Sequence, residues 1–495
     1  MFLRRLAKIL GRLAAGLLVL GIVATLALNF ALDRVPRYQT EIKAWVHQQT
    51  GLHVRFAHVA ATLRWYGPEL SFRQLELRSR DDRRVLAKTA RGRIGWDLWR
   101  LLASGRLFAG RIELDSPDIV VARIGPTRFA PASEQSLQSG GKAVAGFRLA
   151  DLPPGILVIR HGRVSVTGWN RQLPRLTLHD VNLQVRRDAD AIHLRFDAVL
   201  PAVLGGKLNL RGRLGNVGAS PAALDWSADL RTRNVSFRGW RRLLPAYLDH
   251  LKSGSGAFEL KANGIGHDLG DANFDFEATN VAARSNDGST AKFDRIGGHL
   301  ELAHQGDRWT LLGRHVQALR SGRVDPPSQF EVTWRAKRGG GFHLRARASY
   351  LRADNLLPLA ALLPRKSSRE RLIAISPTGE WRNASLRLER LRAGDHWHFT
   401  VHAQFRDAGF GAFGRTPGLR GLSGSVAGDQ RAGHVTFSTH AATLAWPAQW
   451  PRPVRLDALG GTVFWSRTPA GLLMATPRTV MANDDGRVSL LASML

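Results

Sequence analysis

Three histidines, His396, His398 and His402, fall within one ten-residue stretch, HWHFTVHAQF. Successive side chains of a strand point to opposite faces, so on a strand all three would share one face. A His-x-His pair can hold zinc or iron once a third and usually a fourth ligand joins it, often a carboxylate. No Asp or Glu lies between residues 396 and 405, and the equivalent face of sister strands carries Arg, Asp, Ser, Asn and His343. That is the make-up of a solvated face, so neither a metal nor a cofactor is expected. The chain also lacks His-Glu-x-x-His, Gly-x-x-x-x-Gly-Lys-Ser/Thr and Gly-x-Ser-x-Gly, the arrangements that serve zinc hydrolysis, phosphate cradling and acyl transfer. GIGHDLG (264–270) misses the dinucleotide fingerprint by one residue and has no βαβ context, so it reads as a turn. Asp268, Asp271 and Asp275 have the wrong spacing for a calcium loop. No catalytic residue is expected, and a metal-dependent envelope hydrolase on the His396/His398 face stays only as an alternative.

The residues between the histidines, Trp397, Phe399, Val401, Ala403 and Phe405, belong to a pattern found along most of the chain. Trp226, Ala228 and Leu230 alternate with polar residues, as do Phe274, Phe276 and Ala278, then Phe330, Val332 and Trp334, then Phe342, Leu344, Ala346 and Ala348. Period two marks half-buried strands with one wet and one dry face. Segments 293–313, 419–438 and 456–475 each read as strand, turn, strand, with paired or nearby glycines at the start. Helices are expected only at 36–51, 95–105, 241–251 and 353–364. The fold class is therefore mainly β, a long twisted antiparallel sheet with a few short helices.

So many strands and so few helices leave two ways to treat the dry face. A sandwich or barrel would seal it, whereas a curled sheet would leave it as an open hydrophobic groove. Exposing an acyl chain to water costs about 0.8 kcal/mol per methylene, about 13 kcal/mol for ~16 carbons, and a continuous apolar trough removes that cost without holding any one position tightly. The candidate lining residues are Phe330, Val332, Trp334, Phe342 and Leu344, then Trp397, Phe399, Val401 and Phe405, then Val435, Phe437, Val463 and Trp465.

The 495-residue chain carries a formal charge of +31 and no cysteine, which fits an oxidising compartment such as the bacterial periplasm. Of its 71 basic residues 10 are lysine, leaving 61 arginines spread along the whole length rather than gathered in a patch, so no nucleic-acid partner is expected. Arg4, Arg5, Lys8 and Arg12 precede the uncharged run 13–32, whose face includes Leu13, Leu17, Leu20, Val23, Leu26 and Phe30. Twenty helical residues span about 30 Å, a bilayer core, and the cationic side stays cytoplasmic. The reading is a single-pass anchor in the bacterial inner membrane with the bulk of the chain in the periplasm; a cleaved signal peptide is the alternative. Residues 1–33 form the cytoplasmic tip and anchor, 34–125 an N-terminal mixed α/β module, 126–147 a loop rich in Pro, Ser, Gly and Gln, and 148–495 the repetitive β-region.

The stretch IKAWVHQQTGLHVRFAHVAATLRWYGPELSFRQLEL (42–77) followed by GWDLWRLLASGRLFAGRIELDSPDIVVAR (95–123) resembles the opening of AsmA-like proteins, most closely their YhdP branch. Thr50-Gly51, Trp65, Gly67-Pro68, Gly105 and Ser116-Pro117 carry the likeness, and PGLRGLSGSV (417–426) with ATLAWPAQWPRPVRLDALGGTVFW (442–465) is similar to a recurrent block of that branch. The resemblance implies a protein that moves phospholipids between inner and outer membranes along a β-groove, with no catalytic residue or cofactor. Its implied partners are phospholipids, the inner membrane and outer-membrane or periplasmic proteins. Members of that branch are much longer and this chain stops within a strand pattern, so a truncated or split product is expected. The rival from another class is a structural or assembly factor of the cell envelope with a closed β core.

Overall fold

The computed structural model describes residues 53–64, 67–78, 85–96, 109–123, 129–131, 154–169, 175–218, 220–249, 251–284, 290–336, 340–355, 374–392, 395–412 and 417–494, with Thr40, Lys43 and Ala44 before them. Two compact units, Met1–Leu230 and Arg231–Leu495, make up the chain, and each is described by itself. The expected anchor (Leu13 to Phe30) and the loop 126–147 lie outside the described residues, apart from 129–131. Among the described residues no helix is long and apolar enough to cross a membrane.

The first unit is a mixed sheet, which corrects the purely antiparallel expectation. Ala109–Asp115 and Asp118–Arg123 both run parallel to Gly155–Thr167, while Val85–Trp96 and Arg175–Arg187 pair antiparallel with their neighbours. Parallel strands need a crossover of a dozen or more residues, and 124–154 supply that length. Its core gathers Val54, Phe56, Val59, Leu70, Phe72 and Leu75.

The second unit is a meander running from Leu251–Ile265 to Gly486–Met494, in which each long strand pairs antiparallel with the next. The segments with repeated glycines are hairpins, as expected: 293–313 spans Thr290–Gln305 and Arg308–Arg320, and 456–475 spans Val454–Thr468 and Gly471–Asn483. The helix expected over 241–251 begins earlier and ends sooner. It is Phe237–Leu243 and then Pro245–Leu248, because Pro245 cannot donate into a continuing helix and starts a new turn, and Leu251 already opens a strand. Of 353–364 only the 3-10 turn Ala353–Asn355 lies within the described residues. Of 95–105 only Gly95 and Trp96 are described, and they end a strand; of 36–51 only Thr40, Lys43 and Ala44 are, and they are helical.

Several long strands carry a feature the alternation did not reveal. One residue adopts positive φ, and the dry set then slips from i, i+2 to i, i+3. Asn280, His315, Asn383, Asp407 and Ala441 hold this conformation, at φ between 48° and 64° for the last three. In His398–Phe410 the dry residues are Phe399, Val401, Ala403 and Phe405, then Ala408, with the pairing register shifting between Phe405 and Ala408. In Ala432–Ala445 they are Val435, Phe437 and Thr439, then Ala442. Such β-bulges bend a strand and sharpen its twist, and bulges on successive strands curve a sheet. Asn, Asp and His tolerate the left-handed region better than branched residues do. Replacing Asp407 with Val should therefore cost about 1–3 kcal/mol, read as roughly ten- to a hundredfold faster local hydrogen exchange in His398–Phe410, while Asp407→Gly should leave exchange nearly unchanged.

Buried side chains of the second unit concentrate at and beyond these bulges. Ala278, Val281, Phe293 and Ala318 form one cluster beneath Phe237 of the first helix, and Ala442, Leu456 and Leu459 form another with Leu419, Leu422 and Phe437 around them. On the other side of the bulges, toward the hairpin turns at 266–267, 306–307, 430–431 and 469–470, the dry face is not sealed.

Candidate functional site

Register puts the dry residues of the second unit into rows that run across the strands. One row begins Ala262, Ala272, Leu302, Leu311, Val332, Ala346 and Leu386. It continues through Val401, Gly428, Gly433, Trp465, Met474 and Met494. Each member is the direct cross-strand partner of the next, and none is polar. Its twelve inter-strand steps at about 4.8 Å give a run of about 58 Å. A flanking row joins Trp309, Trp334, Leu344, Leu388 and Phe399, and another joins Leu300, Gly313, Phe330 and Ala348. The candidates inferred from alternation therefore share one face: Val332, Trp334, Phe330 and Leu344 with Phe399 and Val401, and Val435 opposite Val463 with Phe437 two pairs further on. Phe342 meets Trp397 edge-on at 5.9 Å between ring centres, and the Arg390 guanidinium lies 4.7 Å from the centre of that indole.

Exposure separates this face from a sealed core. Phe330, Val332, Trp334, Phe342, Leu344, Phe399, Val401, Val435, Phe437, Val463 and Trp465 are all half-buried. Trp397 is 43% exposed, and Phe405, which packs on Trp381 at 5.5 Å next to a bulge, is only 7% exposed. Phe405 therefore belongs to the packed end of the face rather than to its open strip.

Glycine shapes the strip as much as the aromatics do. Trp465 donates its indole Nε1–H to the Asp429 carbonyl at 2.8 Å, and its ring lies against Gly433 and Gly428, where a Cβ would overlap it. Phe330 lies over Gly313 in the same way. A ring laid against glycine covers strand residues that have no side chain of their own and keeps that part of the face apolar. The turn beneath Trp465 is fixed by Asp429, whose Oδ1 accepts from the backbone N–H groups of Arg431 (2.6 Å) and Ala432 (2.9 Å); those two bonds, Ala432 first, hold its carboxyl below the usual range.

The opposite face is charged and solvated. His398 is exposed, with Gln430 Nε2 at 2.7 Å from its Nδ1 and Glu389 as its cross-strand partner; Glu389 in turn meets His343 at 3.1 Å. His402 lies opposite Ser385. His299 bonds Asp275 at 2.7 Å and Glu301 at 3.1 Å, and the Asp275 bond above all raises its pKa from the ordinary 6.5. Among the described residues no group of three or more His, Cys, Asp or Glu side chains could hold a metal ion. Replacing His398 with Ala should leave melting temperature within about 1 °C, since solvated surface changes stay within about 0.5 kcal/mol.

The model of the family described as YhdP protein matches residues 1–492. The chain belongs to the YhdP family. No curated protein matches it, and neither does any solved structure. YhdP membership spans both units, so the dry face and its bulged strands belong to the matched region. The lining candidates left out the part of the face before residue 328, namely Leu260, Leu300, Leu302 and Leu311 with Phe274, whose alternation was read but not assigned to the face, together with Leu386, Leu388 and Val426 later on. The signal was present as period-two runs, but only cross-strand register shows that they line up with Val332 and Val401.

Proposed function

We propose that this protein is an inner-membrane-anchored periplasmic carrier that passes phospholipid acyl chains along the dry face of its second unit toward the outer membrane. The observation that carries the reading is the row from Ala262 to Met494, apolar at every strand and half-exposed along its bulky members. A sheet whose only task was to be a core would seal Trp334, Phe399 and Trp465 as it seals Phe405. Membership of the YhdP family supports the same reading, as does the uncharged run 13–32 behind four basic residues. In this mechanism acyl chains slide over aromatic rings and aliphatic side chains while head groups stay in water. At about 0.8 kcal/mol per buried methylene, a face continuous over about 58 Å lets a tail advance without ever facing the full cost of water. No residue performs chemistry on the lipid, and direction comes from partners in the envelope.

Native mass spectrometry of the full chain released from detergent tests this. Phospholipid should remain bound, with a mass distribution that follows the host membrane. A chain that is always lipid-free would instead favour an envelope assembly factor acting through protein contacts.

A further inference from the structure

In the first unit we infer a phosphate-binding site on the sheet face opposite the core, built around Glu113. The Glu113 side chain is 7% exposed, so its charge must be compensated within the protein. One guanidinium would suffice, yet three surround it: Arg160 Nη2 at 2.9 Å, Arg111 Nε at 3.5 Å and Arg93 Nη1 at 3.9 Å. They come from three adjacent strands, Val85–Trp96, Ala109–Asp115 and Gly155–Thr167, and their side chains remain 45%, 38% and 53% exposed for Arg93, Arg111 and Arg160. Each guanidinium has five N–H donors and spends few of them on Glu113, so the rest face outward.

Beside them lies a hollow of about 310 Å³, lined by Arg111, Arg160, Arg195, Asp197, Ile156 and Val158 among others. Arg195 is exposed and has no carboxylate partner among the described residues, while Asp197 accepts a hydrogen bond from the Asn209 amide. Four guanidiniums (Arg93, Arg111, Arg160, Arg195) against two carboxylates (Glu113, Asp197) leave a surplus of two positive charges. A phosphate ester carries between one and two negative charges and offers several acceptor oxygens, which forked guanidinium donors match. Ile156 and Val158 supply an apolar shoulder on a face where charged and polar residues otherwise prevail, suited to the carbon skeleton next to the phosphate. The buried carboxylate then has a positioning role: it aligns three arginines in advance and keeps them from repelling one another before the anion arrives. This site is independent of the lipid reading of the second unit.

The test is isothermal titration of the full chain in neutral detergent with inorganic phosphate and with glycerol 3-phosphate. Saturable binding is expected, tighter for the ester. Arg160→Gln should weaken it about tenfold and Arg195→Gln about threefold, and Glu113→Gln, which releases the three aligned arginines, should also weaken it severalfold. Arg195→Gln touches no ion pair of the fold, so it remains informative if the Glu113 variant does not fold. Arg387→Gln, on the wet face of the second unit, should change nothing. Vesicles of phosphatidylglycerol and of phosphatidylcholine separate the sources: parallel losses of vesicle binding assign the phosphate to a lipid head group, and losses confined to the soluble probes assign it to a soluble ester. Absent saturation, or equal binding by wild type and every variant as expected from general attraction to a +31 chain, would overturn the site.

Discussion

Val401→Asp should abolish lipid occupancy while the chain still folds. Val401 stands mid-row between Leu386 and Gly428 and is half-buried, so in the empty protein an aspartate there reaches water and costs about 1 kcal/mol. Under an acyl chain the same carboxylate loses its hydration, which costs several kcal/mol. With tenfold in affinity per 1.4 kcal/mol, bound phospholipid should fall about a hundredfold at that strand. Phe399→Asp should do the same two residue pairs along. Phe405→Asp provides the contrast: at 7% exposure and packed on Trp381, it should melt the strand rather than merely empty the face. The measurements are bound phospholipid by mass spectrometry and secondary structure by circular dichroism. If Val401→Asp unfolds the chain as Phe405→Asp does, Val401 belongs to a sealed core and the lipid reading fails.

Gly433→Ala should loosen two hairpins at once, and the loss should depend on Trp465. A Cβ at 433 overlaps the Trp465 ring and comes within 2.7 Å of the Ala427 carbonyl. Overpacking of this kind costs about 1–3 kcal/mol, and pushing the indole away also breaks its bond to the Asp429 carbonyl, about 1 kcal/mol more. Hydrogen exchange in Gly418–Asp429, Ala432–Ala445 and Val454–Thr468 should accelerate together, about a hundredfold or more. In a Trp465→Ala background the same substitution should cost much less, because only the Ala427 contact remains. Equal costs in both backgrounds would show that the ring does not lie over the glycine. Gly313 and Phe330 predict a second instance of the same dependence.

Much of this fold could be read from the residues. Period-two runs in 274–278, 330–334, 342–348 and 397–405 announced strands with one dry face, and the glycines at 297–298, 421–424 and 460–461 marked hairpins that the structure contains. Two things could not be read. The parallel pairing of 109–123 with 155–167 is a long-range choice that no local pattern encodes, since both partners alternate as antiparallel strands do. The bulges were hidden for another reason: a single positive-φ residue changes the phase, so His402-Ala403-Gln404-Phe405-Arg406-Asp407-Ala408 looks like a strand that loses its alternation rather than one that bends. Asn280, Asn383 and Asp407 were the available clue, as polar residues suited to the left-handed region. The histidines that drew attention to 396–405 proved to lie on the solvated side, as their cross-strand neighbours Ser385 and Glu389 dictate. The guanidinium cluster at Glu113 was invisible in sequence because it joins three strands across 67 residues, from Arg93 to Arg160.

Site-specific photo-crosslinking along one strand tests the central claim most directly. A benzophenone side chain placed in turn at each position from Phe399 to Ala408, in cells fed radiolabelled fatty acid, should capture lipid at 399 and 401 and leave 400, 402 and 404 unlabelled. The pattern should fade at the packed positions 403, 405 and 408. Labelling with no such alternation, or none at 399 and 401 while the protein is present and folded, would contradict the account.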